Sequence, residues 1–279
     1  MENLQLIKKG KVKDIYRFDS DKLAFVFTDR ISAFDVVLPS LIPMKGKILF
    51  KFAKFWFEYL NYPNHMLEAI EPNILVVKEL KMIPLEFIVR GYIYGSLYER
   101  LMKKEIEIGI EPILAKKLPN PFFETTTKYE EKDRPIYLKE ILENNWLSMD
   151  EYEKLKDTCI YLYRRMYERA ENAGFILADV KFEFGRDIRG NILLADSLGP
   201  DEFRLWPKDK YEEGKIQESY DKQPVRDWLI KIGYRDKLEE ARKKGLPIPP
   251  PPNLPAWLIE ETKNRYIEAY ERITNEKIT

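Results

Sequence analysis

In the stretch ILADVKFEFG, residues 176–185, Asp179, Lys181 and Glu183 fall at every second position, with Val180, Phe182 and Phe184 between them. A strand sends alternate side chains to opposite faces, so one face is apolar and the other reads acid, base, acid. The chain turns at RDIRGN and returns as ILLADSLGPDEFRLW, 192–206, which brings in Asp196. With Gly185 set opposite Ile192, Lys181 faces Asp196 and Glu183 becomes a diagonal neighbour of Asp196. Diagonal neighbours lie roughly 7–8 Å apart, within reach of one bridging hard cation. Two carboxylates without histidine or cysteine favour Mg²⁺ over zinc, and Mg²⁺ so held completes its shell with water and phosphate oxygens. The alternative is a solvated face on which Lys181 and Glu183 pair with each other. Strong apolar flanks argue for a central hairpin. Further acids and Arg204 crowd one strand end in DSLGPDEFR.

Three other stretches could meet phosphate. GKVKDIY, 10–16, puts Gly10 at a turn with Lys11 and Lys13 on one strand face. Glycine lets a backbone approach an anion and lysines neutralise it, although an ordinary basic hairpin turn reads the same way. It is not a P-loop, and the dinucleotide glycine fingerprint is absent throughout. VRGYIYGS, 89–96, sets Arg90 beside two glycines and Ser96. Such a group could cradle a phosphate with a guanidinium fork, or be a glycine-broken strand with a surface arginine. TDRISAFDVV, 28–37, brackets Asp29, Arg30 and Asp35 around a small-residue turn that could simply satisfy itself. His65 reads as a polar loop group and Cys159 as a helix packing residue.

The elements that must position these groups are α+β in kind. Residues 4–38 read as strands opening with a basic hairpin, and 45–62 as a helix with Phe52, Phe55, Trp56 and Tyr59 at helical spacing. Residues 74–97 read as two strands interrupted at Pro84, with 78–84 crossing from a β-rich N-terminal lobe to the rest. The stretch 107–135 is rich in proline, threonine and charge and reads as a long functional loop. A helix over 148–174 starts at a capping box of Ser148 and Glu151 and ends at Gly174. Its Tyr and Met stripe is core. Further helices cover 222–242 and 256–274, joined by the stiff proline connector 245–255. The last packs through Trp257, Tyr266, Tyr270 and Ile273.

Composition narrows the function. The 47 basic and 47 acidic residues cancel, so nothing draws the chain generally to nucleic acid or to an anionic membrane. One histidine and one cysteine leave no room for a histidine triad, a multi-histidine zinc site or a disulfide framework, and a cytoplasmic setting follows. The N-terminal residues lack a signal-peptide core, and no uncharged apolar run is long enough to span a bilayer.

Taken in order, GKVKDIY, TDRISAFD, IPMKGK, EFIVRGYIYGS, ADVKFEFG, DSLGPDEFRLW, SYDKQPVRDWL and the closing YIEAYERIT resemble the SAICAR synthetase family of purine biosynthesis over nearly the whole chain. The resemblance implies an ATP-dependent ligase that joins the carboxylate of the ribonucleotide CAIR to the amino group of L-aspartate, through an acyl phosphate. It implies an α+β fold of two lobes, 1–82 and 83–279, with ATP in the cleft between them. ATP would meet Gly10, Lys11, Lys13, Lys78, Leu80 and Met82, with Mg²⁺ on Glu183 and Asp196. CAIR would meet Arg90, Ser96, Asp179, Lys181, Arg204 and Arg226. L-Aspartate would meet Asp35 and Lys128. Lys11, Asp35 and Lys181 would stand closest to the chemistry. Partners are these small molecules, with no nucleic acid and no membrane; a homo-oligomer stays open.

The chain departs from the family pattern in places. Lys13 stands where an arginine often occurs, Ser197 where many relatives carry a second acid, and ETTTKYEEKDRPI, 124–136, matches the family loop only loosely and lacks its histidine. Three other classes remain open. The first is another two-lobed ATP-dependent small-molecule kinase; a protein kinase is disfavoured by the missing catalytic-loop and DFG motifs. The others are a non-catalytic nucleotide-binding protein and an RNA-binding module, the last opposed by zero net charge.

Overall fold

A computed structural model describes residues 4–130 and 133–278. The basic N-terminal run folds as a meander of β1 (Gln5–Lys9), β2 (Lys13–Asp19) and β3 (Lys22–Phe27), each antiparallel to the next. The Gly10 amide donates to the Lys13 carbonyl at 3.0 Å, and a Cβ at Gly10 would lie 2.3 Å from that oxygen, so only glycine permits this turn. A separate hairpin, β4 (Arg30–Ala33) and β5 (Val36–Leu41), precedes helix α1 (Lys45–Leu60). In α1, Phe52 and Trp56 are fully buried, while Phe55 and Tyr59 pack at the margin. Then β6 (Met66–Ile70) and β7 (Ile74–Lys78) complete a five-stranded sheet in the order β1-β2-β3-β7-β6.

The second sheet is built from β8 (Lys81–Met82), β9 (Leu85–Tyr92), β10 (Lys117–Thr127), β11 (Pro135–Ile136), β12 (Phe175–Arg186), β13 (Ile192–Ala195) and β14 (Phe203–Pro207). Its path is β11-β10-β9-β12-β13, with β8 and β14 also paired to the long strand β12. Helices α2 (Gly95–Met102), α3 (Leu138–Glu143) and α4 (Met149–Asn172) lie between these strands in sequence, and α5 (Gln223–Lys231), α6 (Tyr234–Lys244) and α7 (Ala256–Thr274) follow them. The α4 N-terminus carries the expected reciprocal cap. Ser148 Oγ accepts from the Glu151 amide at 3.2 Å, and the Glu151 carboxylate accepts from the Ser148 amide at 2.8 Å. Its buried stripe of Leu155, Cys159, Leu162, Tyr163 and Met166 lies over β9, β10 and β12.

The structure corrects several expectations. The loop over 107–135 contains the eleven-residue strand β10. Phe122, Phe123 and the β-branched run Thr125–Thr127 have the shapes a half-buried strand accepts, and Pro119 and Pro121 fall in a register shift between Lys117 and Phe122, where the ladder is interrupted. Residues 131–132, near the end of that stretch, lie outside the described residues. The second of the two strands expected over 74–97 stops at Tyr92, because Gly95–Met102, rich in good helix formers, turns into α2. The helix expected over 222–242 is two, divided at Ile232 and Gly233. In α7, Tyr266, Tyr270 and Ile273 are buried as expected, but Trp257 is 59% exposed; it lies in the first turn, where Leu258 takes the inward position.

A single core cluster runs from Phe25 and Phe27 of the first sheet to Phe182 and Phe184 of the second. The expected boundary after Met82 lies beyond the end of the first sheet at Lys78, and β8 already pairs with β12. The β4–β5 hairpin, through Ile31 and Leu38, and Ile42 just after it pack on Val225, Leu229, Leu238 and Leu258. An N-terminal segment is thereby seated among the C-terminal helices.

Candidate active site

The second sheet is amphipathic, and its polar face holds the site. Strand β9 repeats the β12 alternation with Glu86, Ile88 and Arg90. The registers set Arg90 opposite Asp179 and Ile88 opposite Lys181. Strand β10 sets Thr126 opposite Glu86 and Glu124 opposite Ile88. Side chains alternate, so Glu124, Thr126, Glu86, Arg90, Asp179, Lys181 and Glu183 share one face. The reverse face, with Phe87, Val89, Val180 and Phe182, is buried.

At one end of this row lie the paired acids. The β12–β13 register differs from the expected one. Gly185 pairs with Leu193, because the turn spans only Asp187–Asn191 and is closed by the Asp187 carboxylate accepting from the amides of Arg189 and Asn191, each at 2.9 Å. On that register a regular strand would send Asp196 to the apolar side. Strand β13 instead ends at Ala195, and Asp196 adopts a left-handed φ of 62°. The two carboxylates still act on each other. Burial and then the Asp196 charge push the Glu183 carboxyl up. Asp196 is held below the usual carboxylate range: burial opposes this, but Lys13 and Lys128 outweigh it. The Lys13 ammonium donates to Asp196 and, at 3.0 Å, to Ser197 Oγ, while Lys128 pairs with Glu183. Lys181 does not pair with Glu183; it donates to Glu86 at 2.7 Å. His65 is buried, not a loop polar group. It sits edge-on between Phe25 and Phe57 with Nε2 3.1 Å from the Asp196 carbonyl, and burial lowers its pKa to about 4.

Beside the acids runs the passage between the sheets. Lys78 ends β7; Met82 pairs with Gly185, and a Cβ on Gly185 would lie 2.8 Å from the Leu80 Cβ. Lys11 leaves the Gly10 turn and donates to Asp35 at 2.5 Å. Asp35 sits at the tip of the β4–β5 hairpin, where it and Phe34 are both left-handed. Burial opposes its charge, yet Lys11 holds its carboxyl below the usual range. Lys128, expected as a partner of L-aspartate, pairs here with Glu183. Asp133, on the far flank of the same loop, lies within electrostatic reach of Glu86, Asp35, Lys181 and Lys128.

At the other end of the row a cavity of about 170 Å³ is lined by Arg90, Ser96, Asp179, Lys181, Arg204 and Arg226. All six residues expected to gather there do so. Arg90 Nη2 donates to Ser96 Oγ at 3.0 Å, Arg204 donates to Asp179, and Arg90 Nη1 lies 3.6 Å from the same carboxylate. Burial and the neighbouring Arg204 lower the Arg226 pKa, and among the described residues its guanidinium hydrogen-bonds only Gln223, at 3.4 Å. Three guanidinium groups converge on a lining that also carries Asp179, Asp201, Glu202 and Asp221. Arg226, bonded only to an amide among the described residues, is the one best placed to meet an anionic ligand. Glu86, Glu202 and Lys222 also belong to the site or its wall and were missed from sequence. The alternation in EFIVR could have revealed Glu86. Burial lowers the Lys222 ammonium pKa to about 8, and burial beside Asp201 raises the Glu202 carboxyl to about 8.

A carboxylate pair flanked by lysines and, along one sheet face, an arginine-lined cavity define the class: an α+β enzyme that brings two anionic substrates together. A model of the SAICAR synthetase family matches residues 6–241. The chain is 46% identical to a phosphoribosylaminoimidazole-succinocarboxamide synthase of Nitrosopumilus maritimus over 99% of this chain and 100% of that protein. It is 38% identical to one of Candida maltosa over 98% and 95%. Its fold is similar to a SAICAR synthase of Saccharomyces cerevisiae solved with SAICAR, with a TM-score of 0.83 at 33% identity, covering 99% and 96% of the two chains. It is also similar to a SAICAR synthetase solved in complex with ADP, with a TM-score of 0.74 at 26% identity, covering 98% and 99%. The chain belongs to the SAICAR synthetase family, the ATP-dependent ligases of purine biosynthesis.

Proposed function

We propose that the chain condenses CAIR with L-aspartate at the expense of ATP, giving SAICAR, ADP and phosphate, with each substrate held where the geometry best suits it. The position of Lys181 carries this reading. It lies on the polar face between Asp179 and Glu183 and also lines the arginine cavity, so it is common to the nucleotide end and the anion end.

A carboxylate is a poor electrophile toward an amine at neutral pH. In this reading the CAIR carboxylate oxygen first attacks the γ-phosphorus of ATP, and ADP leaves. The aspartate amine then attacks the acyl carbon, a C–N bond forms, and phosphate departs as the amine loses its proton. Arg90, Ser96, Arg204 and Arg226 hold the CAIR phosphate, and Asp179 lies beside its sugar. Lys181 points the carboxylate toward the nucleotide. The Gly10 turn brings Lys11 and Lys13 over the ATP phosphates, and Lys78, Leu80 and Met82 lie along the nucleoside. Alignment and neutralisation of developing charge are the chief contributions of these side chains.

The donor set fits Mg²⁺. Glu183 and Asp196 are hard oxygen ligands, each already meeting a cation in Lys128 or Lys13, and no third acid, histidine or cysteine completes a metal cage among the described residues. When bound there with ATP, Mg²⁺ would neutralise phosphate oxygens. Lys13 and Lys128 would then be available to phosphate and to a substrate carboxylate. No helix among the described residues is long and apolar enough to cross a membrane.

Phosphate release from ATP, measured with CAIR and with or without L-aspartate, tests the reading. Stoichiometric ADP, phosphate and SAICAR should appear only with all three substrates. ATP turnover indifferent to L-aspartate would overturn it.

A further inference from the structure

We infer that Glu124, together with Arg100, is a positioning residue that sets the guanidinium of Arg90 and the hydroxyl of Ser96 for the substrate phosphate. The inference rests on the reading that Arg90 binds the phosphate of CAIR. Glu124 Oε1 accepts from Arg90 Nε at 2.6 Å, and its other oxygen accepts from Arg100. Glu124 and Arg100 are nearly buried, at 10% and 14% side-chain exposure, and neither lines the cavity. Arg90 and Ser96 both line it. Arg100 follows Ser96 by four residues on α2, so the two occupy one face of that helix, a turn apart. One carboxylate on β10 thereby ties β9 to α2, the two elements that supply Arg90 and Ser96 to the phosphate end of the site.

The consequence for Arg90 is directional. A guanidinium has five N–H groups in a fixed plane. Glu124 engages Nε, Ser96 engages Nη2, and the remaining edge is left toward the cavity. Without Glu124 the nearest acid is Asp179, 3.6 Å from Nη1 and already bonded to Arg204. Arg90 would then turn toward Asp179 and draw it away from Arg204. Burial opposes the charge on Glu124, but Arg90 and Arg100 hold its carboxyl below the usual range, so it is a carboxylate when the substrate binds.

Glu124→Gln should raise the KM for CAIR on the order of tenfold, the effect of one lost charge-assisted hydrogen bond, with kcat and the KM values for ATP and L-aspartate nearly unchanged. Glu124→Asp should restore part of the loss, and preference for CAIR over its dephosphorylated nucleoside should shrink in Glu124→Gln. In an Arg90→Ala background Glu124→Gln should add nothing. If Glu124→Gln folds poorly, Arg100→Lys weakens the same tie more gently, and its CAIR KM should rise in the same selective way. All three KM values moving together, or additive losses in the double variant, would reduce Glu124 to a packing role and overturn the inference. An Arg90→Ala enzyme with unchanged CAIR KM overturns the parent reading and this inference together. A sensitive Arg90 beside an insensitive Glu124 overturns the inference alone.

Discussion

The ammonium of Lys128 rests on the carboxylate of Glu183, one of the two acids that suit Mg²⁺. Burial disfavours that ammonium, yet Glu183 and Asp196 raise its pKa above the ordinary lysine range. A divalent cation arriving at Glu183 would compete with Lys128 for that carboxylate, and a displaced Lys128 would be free to meet a dicarboxylate substrate. Lys128→Met should tighten Mg²⁺ binding to the substrate-free protein by about tenfold, the loss of one competing charge at contact distance. It should also raise the KM for L-aspartate while the KM values for ATP and CAIR stay nearly constant. Calorimetric Mg²⁺ titration and steady-state kinetics check both. Unchanged Mg²⁺ affinity would mean that Lys128 does not compete for this acid.

Glu183→Gln and Asp196→Asn should each lower turnover by at least about a hundredfold, a typical effect of removing one group that stabilises developing charge. The melting temperature should fall little. Each variant leaves a neutral amide beside a lysine, and the polar face is not what packs against α4. Melting curves and ATP turnover measured on the same preparations distinguish the cases. A variant that unfolds while its surviving folded fraction turns over normally would make the acid structural.

Much of this site is legible in the sequence because strand chemistry has a short period. The alternation in ADVKFEF places Asp179, Lys181 and Glu183 on one face whatever the partner strands are, and the Ser148 and Glu151 cap is equally local. Asp196 shows the limit. Its face depends on where the Asp187–Asn191 turn closes, and a one-residue change in register is reversed only by its left-handed backbone. The strand β10 was obscured because prolines and polar threonines weigh toward loop locally, whereas the ladder with β9 decides the outcome. Glu124 and Lys222 lie inside ETTTKYEEKDRPI and SYDKQPVRDWL, but no local pattern marks what they do. Their roles come from neighbours distant in the chain.

The same cap supplies a pH test. Glu151 accepts from Arg186 at 2.6 Å and from the Ser148 amide, and the Arg186 hydrogen bond lowers its pKa to about 2 from an ordinary value of 4.5. A carboxylate depressed in the folded state contributes stability above its unfolded pKa and loses it as pH falls through the folded value. Glu151→Ala should therefore lower the melting temperature at pH 7. The gap to the unaltered protein should narrow between about pH 4.5 and about pH 2 as the native carboxylate takes up its proton. Scanning calorimetry across that range measures it. A gap independent of pH would assign the effect to packing rather than to the ionised cap.

Gly95 joins backbone geometry to the arginine cavity. Its φ of 56° is left-handed, and a Cβ there would stand 3.1 and 3.2 Å from the two terminal guanidinium nitrogens of Arg204. Alanine at this position meets two costs. The left-handed backbone disfavours a β-carbon by about 1–2 kcal/mol. Arg204 must also give by a few tenths of an ångström although it bonds Asp179 and lies over the Tyr94 ring. Gly95→Ala should therefore lower the melting temperature by several degrees, about 2–4 °C per kcal/mol for a chain of this size. It should also raise the KM for CAIR while leaving that for ATP unchanged, because the displaced guanidinium belongs to the anion end of the row and not to the Gly10 turn. Thermal unfolding and initial-rate kinetics with each substrate varied separately check the two effects. A lower melting temperature with an unaltered CAIR KM would show that Arg204 keeps its place and that the requirement for glycine is one of backbone strain alone.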